Sequence, residues 1–273
     1  MRQCCAPIQY QPQTQAVAAQ PLFIVPSRTN KYCILDLSPA NSVAGWLVGQ
    51  GHSVFNLSWR KPDETDAQRS LDDCLQLGPF GALAAIPRLV PGKSVHSAGS
   101  CLGGTLLSIA AAGRHAGRAR FLSGTPMDGS FQWLHSRELV WSARGRELWL
   151  GARLRPNDLR AWTEDRTRMP AALHSVYLRR CYLRNGLAQS RFPVAGRAVS
   201  LANISLPLFV AGTEKVPVSP WKPVYKRHGL CNAKLTFVLT HGGHNAGIVS
   251  EPGHAGRHFG PQVRPQVRPQ VRL

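Results

Sequence analysis

The stretch that decides the fold is Ser97-Ala98-Gly99-Ser100-Cys101-Leu102-Gly103-Gly104-Thr105. It joins a run of strand type at 94–98 to a small-residue run of helical type at 105–114. Glycines on both sides of Cys101 allow a strand and a helix to approach closely around one strained residue, whose side chain then projects above the carboxyl edge of a sheet. The pattern Gly-x-Cys-x-Gly in this context predicts a nucleophile elbow with Cys101 as the nucleophile.

Two other interpretations of this stretch stay open. Cys101 can be a small buried residue in a glycine-rich turn, or the glycines can form a phosphate-binding loop, although the Lys-Ser/Thr ending that such a loop needs is absent. If Cys101 is the nucleophile, we expect the amide of Leu102, at the helix N-terminus, to stabilise an oxyanion. The same helix end favours the thiolate form of the cysteine.

Strand and helix patterns alternate on both sides of the elbow, which predicts a mostly parallel sheet with helices on both faces. Together with the elbow, this alternation predicts an α/β-hydrolase fold. The alternation breaks at about 129–191, where four tryptophans occur among Arg and Leu, and we expect a helical cap insertion there. Strands are predicted at 21–26, 52–57, 94–98, 119–123, 206–211 and 234–240, and helices at 41–50, 70–89 and 105–114.

The two ends of the chain differ in composition from the segment at 21–259, which we interpret as the catalytic domain. Residues 1–20 are polar and Gln-rich, and we expect a loose segment. Residues 260–273 contain three tandem Pro-Gln-Val-Arg copies. Because proline at every fourth position forbids a helix, this repeat tail is predicted to be disordered.

A histidine on a loop after the last strand would be the base of such a site. The run Thr240-His241-Gly242-Gly243-His244 lies there, and the chain order of nucleophile before histidine fits the fold. We predict His244 as the base, with His241 as a competitor and a structural His244 as an alternative. Two histidines three apart can also chelate a metal, but no carboxylate or cysteine stands nearby in sequence, so no metal site is predicted.

Composition limits the class of protein further. The chain of 273 residues is 43% hydrophobic, with no apolar run of 18 residues and no apolar signal-peptide core at Met1, so we expect a cytoplasmic protein without a membrane span. Seven scattered cysteines without a Cys-x-x-Cys pair predict reduced thiols rather than a zinc site. The net charge of +19 suits an anionic partner; nucleic acid is not favoured, because no nucleic-acid motif is present.

Six blocks of the sequence resemble those of the poly(3-hydroxyalkanoate) synthases, also called poly-beta-hydroxybutyrate polymerases. The resemblance runs from about residue 8 to 259 and covers the catalytic α/β-hydrolase domain of that family. They are 22–37, with Asn-Lys-Tyr-Cys-Ile-Leu-Asp-Leu; 51–63, with Ser-Trp-Arg-Lys-Pro-Asp; 99–107, around Cys101; 165–179, with Thr-Arg-Met-Pro and His-Ser-Val-Tyr-Leu; 219–225, with Ser-Pro-Trp-Lys-Pro-Val-Tyr; and 242–253, with Gly-Gly-His-Asn-Ala-Gly.

The resemblance implies an acyltransferase that polymerises (R)-3-hydroxyacyl-CoA, with the CoA thioester as substrate and no cofactor. Cys101 would carry the growing polyester as a thioester, and His244 would deprotonate Cys101 or the hydroxyl of the incoming substrate. A thiol is both a good nucleophile and a good leaving group, so acyl groups can be passed on. The implied partners are the polyester granule surface and either a second copy of the chain or an intact synthase.

The sequence departs from the family where the acid of the site is expected. Val216 stands at the position that the family's Asp-His-x-x-Pro-Trp stretch gives to the catalytic Asp. Asp128, after the strand that follows the elbow helix, is the candidate substitute acid, and its alternative role is a helix cap or loop residue. Glu214 lies close to Val216 in sequence, and we expect it to point elsewhere.

The family also has a longer stretch between the Asp128 region and the block that begins at Ser130, so we expect a shortened cap. Because the match begins almost at Met1, we expect a truncated copy of a synthase. Two further hypotheses therefore accompany the polymerase. The chain is a catalytically impaired remnant that acts in binding or not at all, or it is a thioesterase or esterase on the same fold.

Overall fold

The computed structural model describes residues 5–28, 31, 33–113, 121–122, 149, 151, 168–214, 221–241 and 259–262. Strands in this part of the chain are β1 Cys5–Gln9, β2 Leu22–Val25, β3 Asp36–Ser38, β4 Asn41–Ser42, β5 Val54–Trp59, β6 His96–Gly99, β7 Phe121–Leu122, β8 Phe192–Val194, β9 Arg197–Val199, β10 Leu208–Thr213, β11 Leu235–Thr240 and β12 Phe259–Gln262. The α-helices are α1 Val43–Gly49, α2 Leu71–Leu75, α3 Gly81–Leu89, α4 Leu102–Ala112, α5 Ala171–Val176 and α6 Trp221–Tyr225.

Eight of these strands form one sheet in the order β1-β5-β2-β6-β7-β10-β11-β12. Every pairing from β5 through β11 is parallel, whereas the outermost strands β1 and β12 pair antiparallel with their neighbours. Parallel neighbours need crossover connections, and α1 and α4 lie in two of them. The predicted mostly parallel sheet is confirmed.

Helices cover both faces of the sheet, as the side chains of β2 demonstrate. Ile24 packs with Ala44 and Val48 of α1, whereas its neighbours Phe23 and Val25 belong to the large cluster on the opposite side. All three β2 residues are at most 1% exposed. A strand buried on both faces reads as a continuous apolar run, which is why Leu22–Val25 was recognisable from sequence.

The helix α4, which follows the elbow, is the most deeply buried helix of the described residues. Each of its residues from Leu102 to Ala112 is buried. It contacts β2, β6 and β7, and the large apolar cluster includes Leu106, Leu107 and Ile109. Small residues at Gly103, Gly104 and Ala110 to Ala112 allow this close approach to the sheet. The helix therefore holds the residue before it, Cys101, in a fixed relation to the sheet.

The predicted helix over 70–89 is interrupted. Ser70 caps α2 as expected, in a reciprocal capping box with Asp73. However, a π-helical turn at Gln76–Phe80 separates α2 from α3. Pro79 lies inside this turn, and proline lacks the N–H that a regular helix would use. The irregularity brings Gly78 against the Trp59 ring, where a Cβ would stand 2.7 Å from Cη2 of the indole.

Two predictions about the chain ends are corrected. Residues Cys5–Gln9, inside the segment expected to be loose, form β1 and pair with β5 from Cys5↔Trp59 to Gln9↔Phe55. Residues 260–262, expected to belong to the disordered tail, continue β12 beside β11. The hydrogen bonds of a neighbouring strand therefore order both segments although they have few apolar side chains. In the described part of the chain, no helix is long and apolar enough to cross a membrane.

Candidate active site

The elbow has the backbone geometry that a nucleophile requires. Cys101 lies between β6 and α4 with φ 54° and ψ −125°, and it is one of five described non-glycine residues with positive φ. A residue held in such a sparsely populated region costs on the order of 1–3 kcal/mol and persists only where the surrounding structure fixes it. Cys101 directly precedes α4 in this conformation, and its side chain is partly exposed.

Two glycines make this geometry possible, each for a separate steric reason. A Cβ on Gly99 would stand 2.5 Å from Cα of Gly104 and 2.7 Å from its nitrogen. A Cβ on Gly103 would stand 2.0 Å from the carbonyl oxygen of Val25 and 2.7 Å from that of Pro26. Gly99 therefore allows the strand to approach the helix, and Gly103 allows the helix to approach the end of β2.

Backbone hydrogen bonds hold the turn in place. The amide of Ser100 donates to the Val25 carbonyl at 3.1 Å, which links the elbow to the neighbouring strand. Within the turn, Gly103 donates to Ser100 and Gly104 to Cys101, at 2.9 and 3.0 Å. The first amides of a helix have no acceptor within the helix, and Leu102 is the first residue of α4. Its N–H belongs to the group of amides that can bind a negatively charged oxygen.

The exposure of Cys101 distinguishes it from the other cysteines whose side chains the structure describes. Cys5, Cys74, Cys181 and Cys231 are all buried. Burial raises the pKa of the Cys181 thiol to about 12 and also raises the pKa of Cys231. Since the thiolate is the nucleophilic form, we expect Cys181 and Cys231 to react more slowly than a partly exposed thiol at a helix N-terminus.

A carboxylate and an imidazole meet at the same edge of the sheet as Cys101. Glu214 directly follows β10 and His241 directly follows β11, two parallel strands in which Thr213 lies opposite Thr240. The Glu214 amide donates to the Thr240 carbonyl at 3.0 Å, and Nδ1 of His241 lies 3.0 Å from Oε2 of Glu214. We expected Glu214 to point elsewhere; it contacts the imidazole that we had ranked second. Sequence reasoning missed this pair, which only the strand register reveals.

Other residues of the predicted site lie outside the described residues. These are the predicted base His244, the candidate substitute acid Asp128 and the position of the missing acid, Val216. Their roles stay predictions. In the described ranges, no three His, Cys, Asp or Glu side chains are grouped as metal ligands would be.

The residues that follow β2 and β5 form a polar layer beside the elbow. Arg28 is 1% exposed, its guanidinium carbon lies 5.2 Å from the centre of the Trp59 ring, and its Nη1 donates to the Arg60 carbonyl at 3.4 Å. The Trp59 indole N–H donates to the Pro26 carbonyl at 3.1 Å. Pro26 is also one of the residues that Gly103 approaches, so this layer contacts the elbow through the end of β2.

Asp66 anchors the segment after β5. It is 2% exposed and accepts hydrogen bonds from Arg60, from Nε of Arg69 and from the amide of Asp63. Burial alone would raise the pKa of Asp66, but the Asp63 amide, Arg69 and Arg60 outweigh it and lower the pKa. Hydrogen bonds from Thr65 and then Arg60 lower the pKa of Asp63 to about 2. Both carboxylates therefore stabilise the fold in their charged form.

The mostly parallel sheet, and Cys101 at positive φ in the glycine-rich turn from β6 to α4, define the class of protein: an α/β-hydrolase fold with a cysteine in its strand-to-helix turn. Solved structures agree on the fold. An esterase from Exiguobacterium antarcticum has a TM-score of 0.53 and 11% identity, and the match covers 89% of this chain and 90% of the esterase chain. Est1E from Butyrivibrio proteoclasticus, solved with bound ferulic acid, matches 88% and 87%, with a TM-score of 0.52 and 12% identity.

Sequence comparison identifies proteins that are similar to this chain. Residues 2–47 match the model described as the poly-beta-hydroxybutyrate polymerase (PhaC) N-terminus. The chain is 34% identical over 288 residues to the poly(3-hydroxyalkanoate) polymerase subunit PhaC of Rhizobium meliloti, covering 91% of this chain and 47% of that protein. It is 30% identical to the same subunit of Cupriavidus necator, and the match covers 90% of this chain and 49% of that protein. The chain is similar to these poly(3-hydroxyalkanoate) polymerases over about nine tenths of its own length, and it spans about half the length of these relatives.

Proposed function

We propose that the chain is an acyltransferase that joins (R)-3-hydroxyacyl units from CoA thioesters into a polyester and releases CoA. The observation that carries the proposal is Cys101, partly exposed and held at positive φ between Gly99 and Gly103, where an added Cβ would clash with backbone atoms. The family relationship supplies the substrate class, because the similar proteins are named poly(3-hydroxyalkanoate) polymerases.

The chemistry proceeds through a thioester. The Cys101 thiolate attacks the carbonyl carbon of the acyl-CoA, the carbonyl oxygen gains negative charge, and the C–S bond to CoA breaks. The Leu102 amide, at the start of α4, is our proposed donor to that oxygen. His244 is the proposed base for the thiol, and Asp128 the proposed carboxylate behind it. The net charge of +19 would attract the anionic CoA phosphates, and no cofactor is required.

Two partners follow from the same proposal. The polyester product would form a granule surface on which the chain works, and a second copy of the chain or an intact synthase would be its protein partner. These partners rest on the family relationship.

One observation favours a second candidate function. Val216 occupies the position that the family gives to its catalytic Asp. In a serine-protease triad, loss of the acid lowers turnover by about 10⁴. A cysteine ionises more readily than a serine, so the loss here should be smaller. If the loss is nonetheless complete, the chain is a non-catalytic family member that acts in binding.

The test is intact-protein mass spectrometry after mixing with (R)-3-hydroxybutyryl-CoA, with free CoA followed in parallel. An active polymerase forms an acyl adduct that grows in steps of one hydroxybutyryl unit, and peptide mapping places it on Cys101. Cys101→Ala abolishes the adduct, whereas Cys181→Ala, which removes a buried thiol, retains it. CoA release without a growing adduct indicates a thioesterase. A folded protein with no adduct supports the binding function.

Single substitutions test the proposed roles of His244 and Asp128 separately. His244→Ala should leave substrate binding intact and slow acylation, by about 10²-fold or more if His244 is the general base. Asp128→Asn should lower the acylation rate if Asp128 is the substitute acid. Unchanged acylation in either variant removes that residue from the site.

A further inference from the structure

The helical segment that follows α5 has one buried face and one exposed face. The π-helical turn Tyr177–Leu183 continues α5 without a break. Tyr177 and Cys181, which are four residues apart, are buried and belong to the large apolar cluster. This inner face holds the segment on the domain, so the residues on the opposite side of the turn face solvent.

The outer face of this segment combines arginines with large apolar side chains. It consists of Arg179, Arg180, Tyr182, Leu183 and Arg184, which we call the basic–apolar patch, and all five residues are exposed. Leu183 is 71% exposed and Tyr182 is 43% exposed. Single exposed leucines are common on protein surfaces, but here two apolar side chains lie between cations. The long stem of an arginine can lie along apolar material while its guanidinium stays in a polar layer.

The positive charge of the patch is not neutralised by the domain around it. In the part of the chain that the structure describes, no carboxylate forms an ion pair with the three arginines. The helix α2, which contacts α5, carries Asp72 and Asp73. Asp72 accepts a hydrogen bond from the Ala195 amide at 3.2 Å, and Asp73 accepts one from the Ser70 amide at 2.7 Å. The patch therefore adds local positive charge to a chain whose net charge is +19.

We infer that the basic–apolar patch docks the protein on an anionic lipid surface. Negatively charged headgroups attract the three guanidinium groups, and a chain of high positive charge approaches such a surface faster. Leu183 and the ring of Tyr182 enter the boundary between headgroups and acyl chains, where the phenol oxygen stays in contact with water. The inference is independent of the proposed function, because it involves no residue of the proposed active site.

Other occupants fit the patch less well. A second copy of the chain, related by a two-fold axis through the patch, would bring like charges towards each other. A nucleic acid would pair with the arginines, but its bases stack on aromatic rings and leave Leu183 without a role. An uncharged polyester surface would bury Leu183 and provide no anion for the arginines. An anionic lipid surface uses both kinds of side chain.

Vesicle co-sedimentation tests the inference. The full chain is mixed with vesicles of equal parts phosphatidylcholine and phosphatidylglycerol, and separately with vesicles of phosphatidylcholine alone. We expect binding to the first and little to the second, and weaker binding as salt is added, because salt screens the attraction. The triple variant Arg179→Gln/Arg180→Gln/Arg184→Gln should bind at least about tenfold more weakly. Leu183→Ser should bind about fivefold more weakly, because less apolar area enters the lipid.

Matched variants separate the patch from the overall charge. Arg88→Gln/Lys93→Gln/Lys234→Gln removes three exposed cations from other parts of the domain and has the same net charge as the patch variant. Leu89→Ser changes a leucine that is 62% exposed at the end of α3. Both control variants should bind the anionic vesicles within about twofold of wild type. The triple lysine variant of the patch, which keeps its charge, should also retain most of the binding.

The remaining outcomes each contradict the inference. Equal weakening by the patch variant and its matched control would assign the binding to net charge alone. Wild-type protein that ignores anionic vesicles, or binds neutral ones equally well, also overturns docking on anionic lipid. A lower molar mass of the patch variant by light scattering would identify the face as a contact between copies. Duplex DNA that displaces the vesicles from wild type, and binds the patch variant more weakly, would assign the patch to nucleic acid.

Discussion

Gly103 lies against the end of β2 so closely that a Cβ would stand 2.0 Å from the Val25 carbonyl oxygen. The same oxygen accepts the hydrogen bond from the Ser100 amide. One carbonyl therefore fixes both the residue before Cys101 and the helix after it. A side chain at Gly103 has to move α4 away from β2 and thereby loosen the elbow.

We expect Gly103→Ala to lower the free energy of unfolding by about 3 kcal/mol, because the contact is with backbone that cannot rotate away. Urea denaturation measures the change. The control is Gly229→Ala, where a Cβ would meet nothing within 4 Å, and which should stay within about 0.5 kcal/mol of wild type. Equal stability of the two variants would contradict the close packing at Gly103.

Backbone strain at Cys101 predicts that the conformation of this residue lowers the stability of the fold. Cys101→Gly relieves the positive φ of 54°, whereas Cys101→Ala retains it. After the entropy cost of glycine, we expect the Gly variant to be about 1 kcal/mol more stable than the Ala variant. Thermal unfolding of both variants measures the difference, and a more stable Ala variant would show that the elbow carries no strain.

Thiol reactivity should follow exposure. With iodoacetamide near neutral pH, we expect Cys101 to be alkylated at least roughly tenfold faster than Cys181 or Cys231. Burial raises the pKa of both comparison thiols, to about 12 for Cys181. At neutral pH, only a small fraction of each thiol is therefore present as thiolate. Mass spectrometry of the three peptides gives the rates. Equal rates would mean that the elbow neither exposes nor activates its cysteine.

The Asp66 cluster predicts a loss of stability in acid. The folded-state pKa of Asp66 is lowered, so its contribution is present above the pKa of an unfolded Asp, about 3.9, and is lost as the pH falls below it. Asp66→Asn should cost about 2 kcal/mol at pH 7, because it removes the charged acceptor of Arg60 and Arg69.

The pH dependence separates this effect from simple misfolding. The difference between wild type and Asp66→Asn should shrink when urea denaturation is repeated at pH 3, because below the pKa of an unfolded Asp the unfolded chain takes up a proton before the folded carboxylate does. Glu64→Gln, at a neighbouring exposed position, should follow wild type at both pH values. A constant difference between the two pH values would exclude the charge of Asp66 as the cause.

Local sequence was enough to predict the elbow. The glycines around Cys101 act through contacts made within a few residues or with the adjacent strand, so their spacing identifies the turn. The start of α4 was predicted less accurately. The run at 105–114 predicted a helix that begins at Thr105, whereas α4 begins at Leu102. Glycines at 103 and 104 have poor helix propensity, and packing against β2 overrides that propensity.

Features that depend on distant pairing were not predictable. Only Cys5 among the β1 residues is buried, so the strand has no apolar pattern, and its partner β5 lies about fifty residues away. The Glu214–His241 contact likewise depends on the β10–β11 register, which no local pattern records. The π-helical turn at Gln76–Phe80 depends on how Gly78 meets Trp59.

The antiparallel outer strands have a consequence for solubility. An edge strand with free N–H and C=O groups invites other chains to extend the sheet, and natural proteins interrupt such edges with proline and keep them short. Here β1 has five residues and contains Pro7, and β12 has four and contains Pro261. Each proline removes one donor from the outer strand that shields the long parallel ladder. The short, proline-containing strands β1 and β12 should therefore disfavour the addition of strands from other chains to either side of the described sheet.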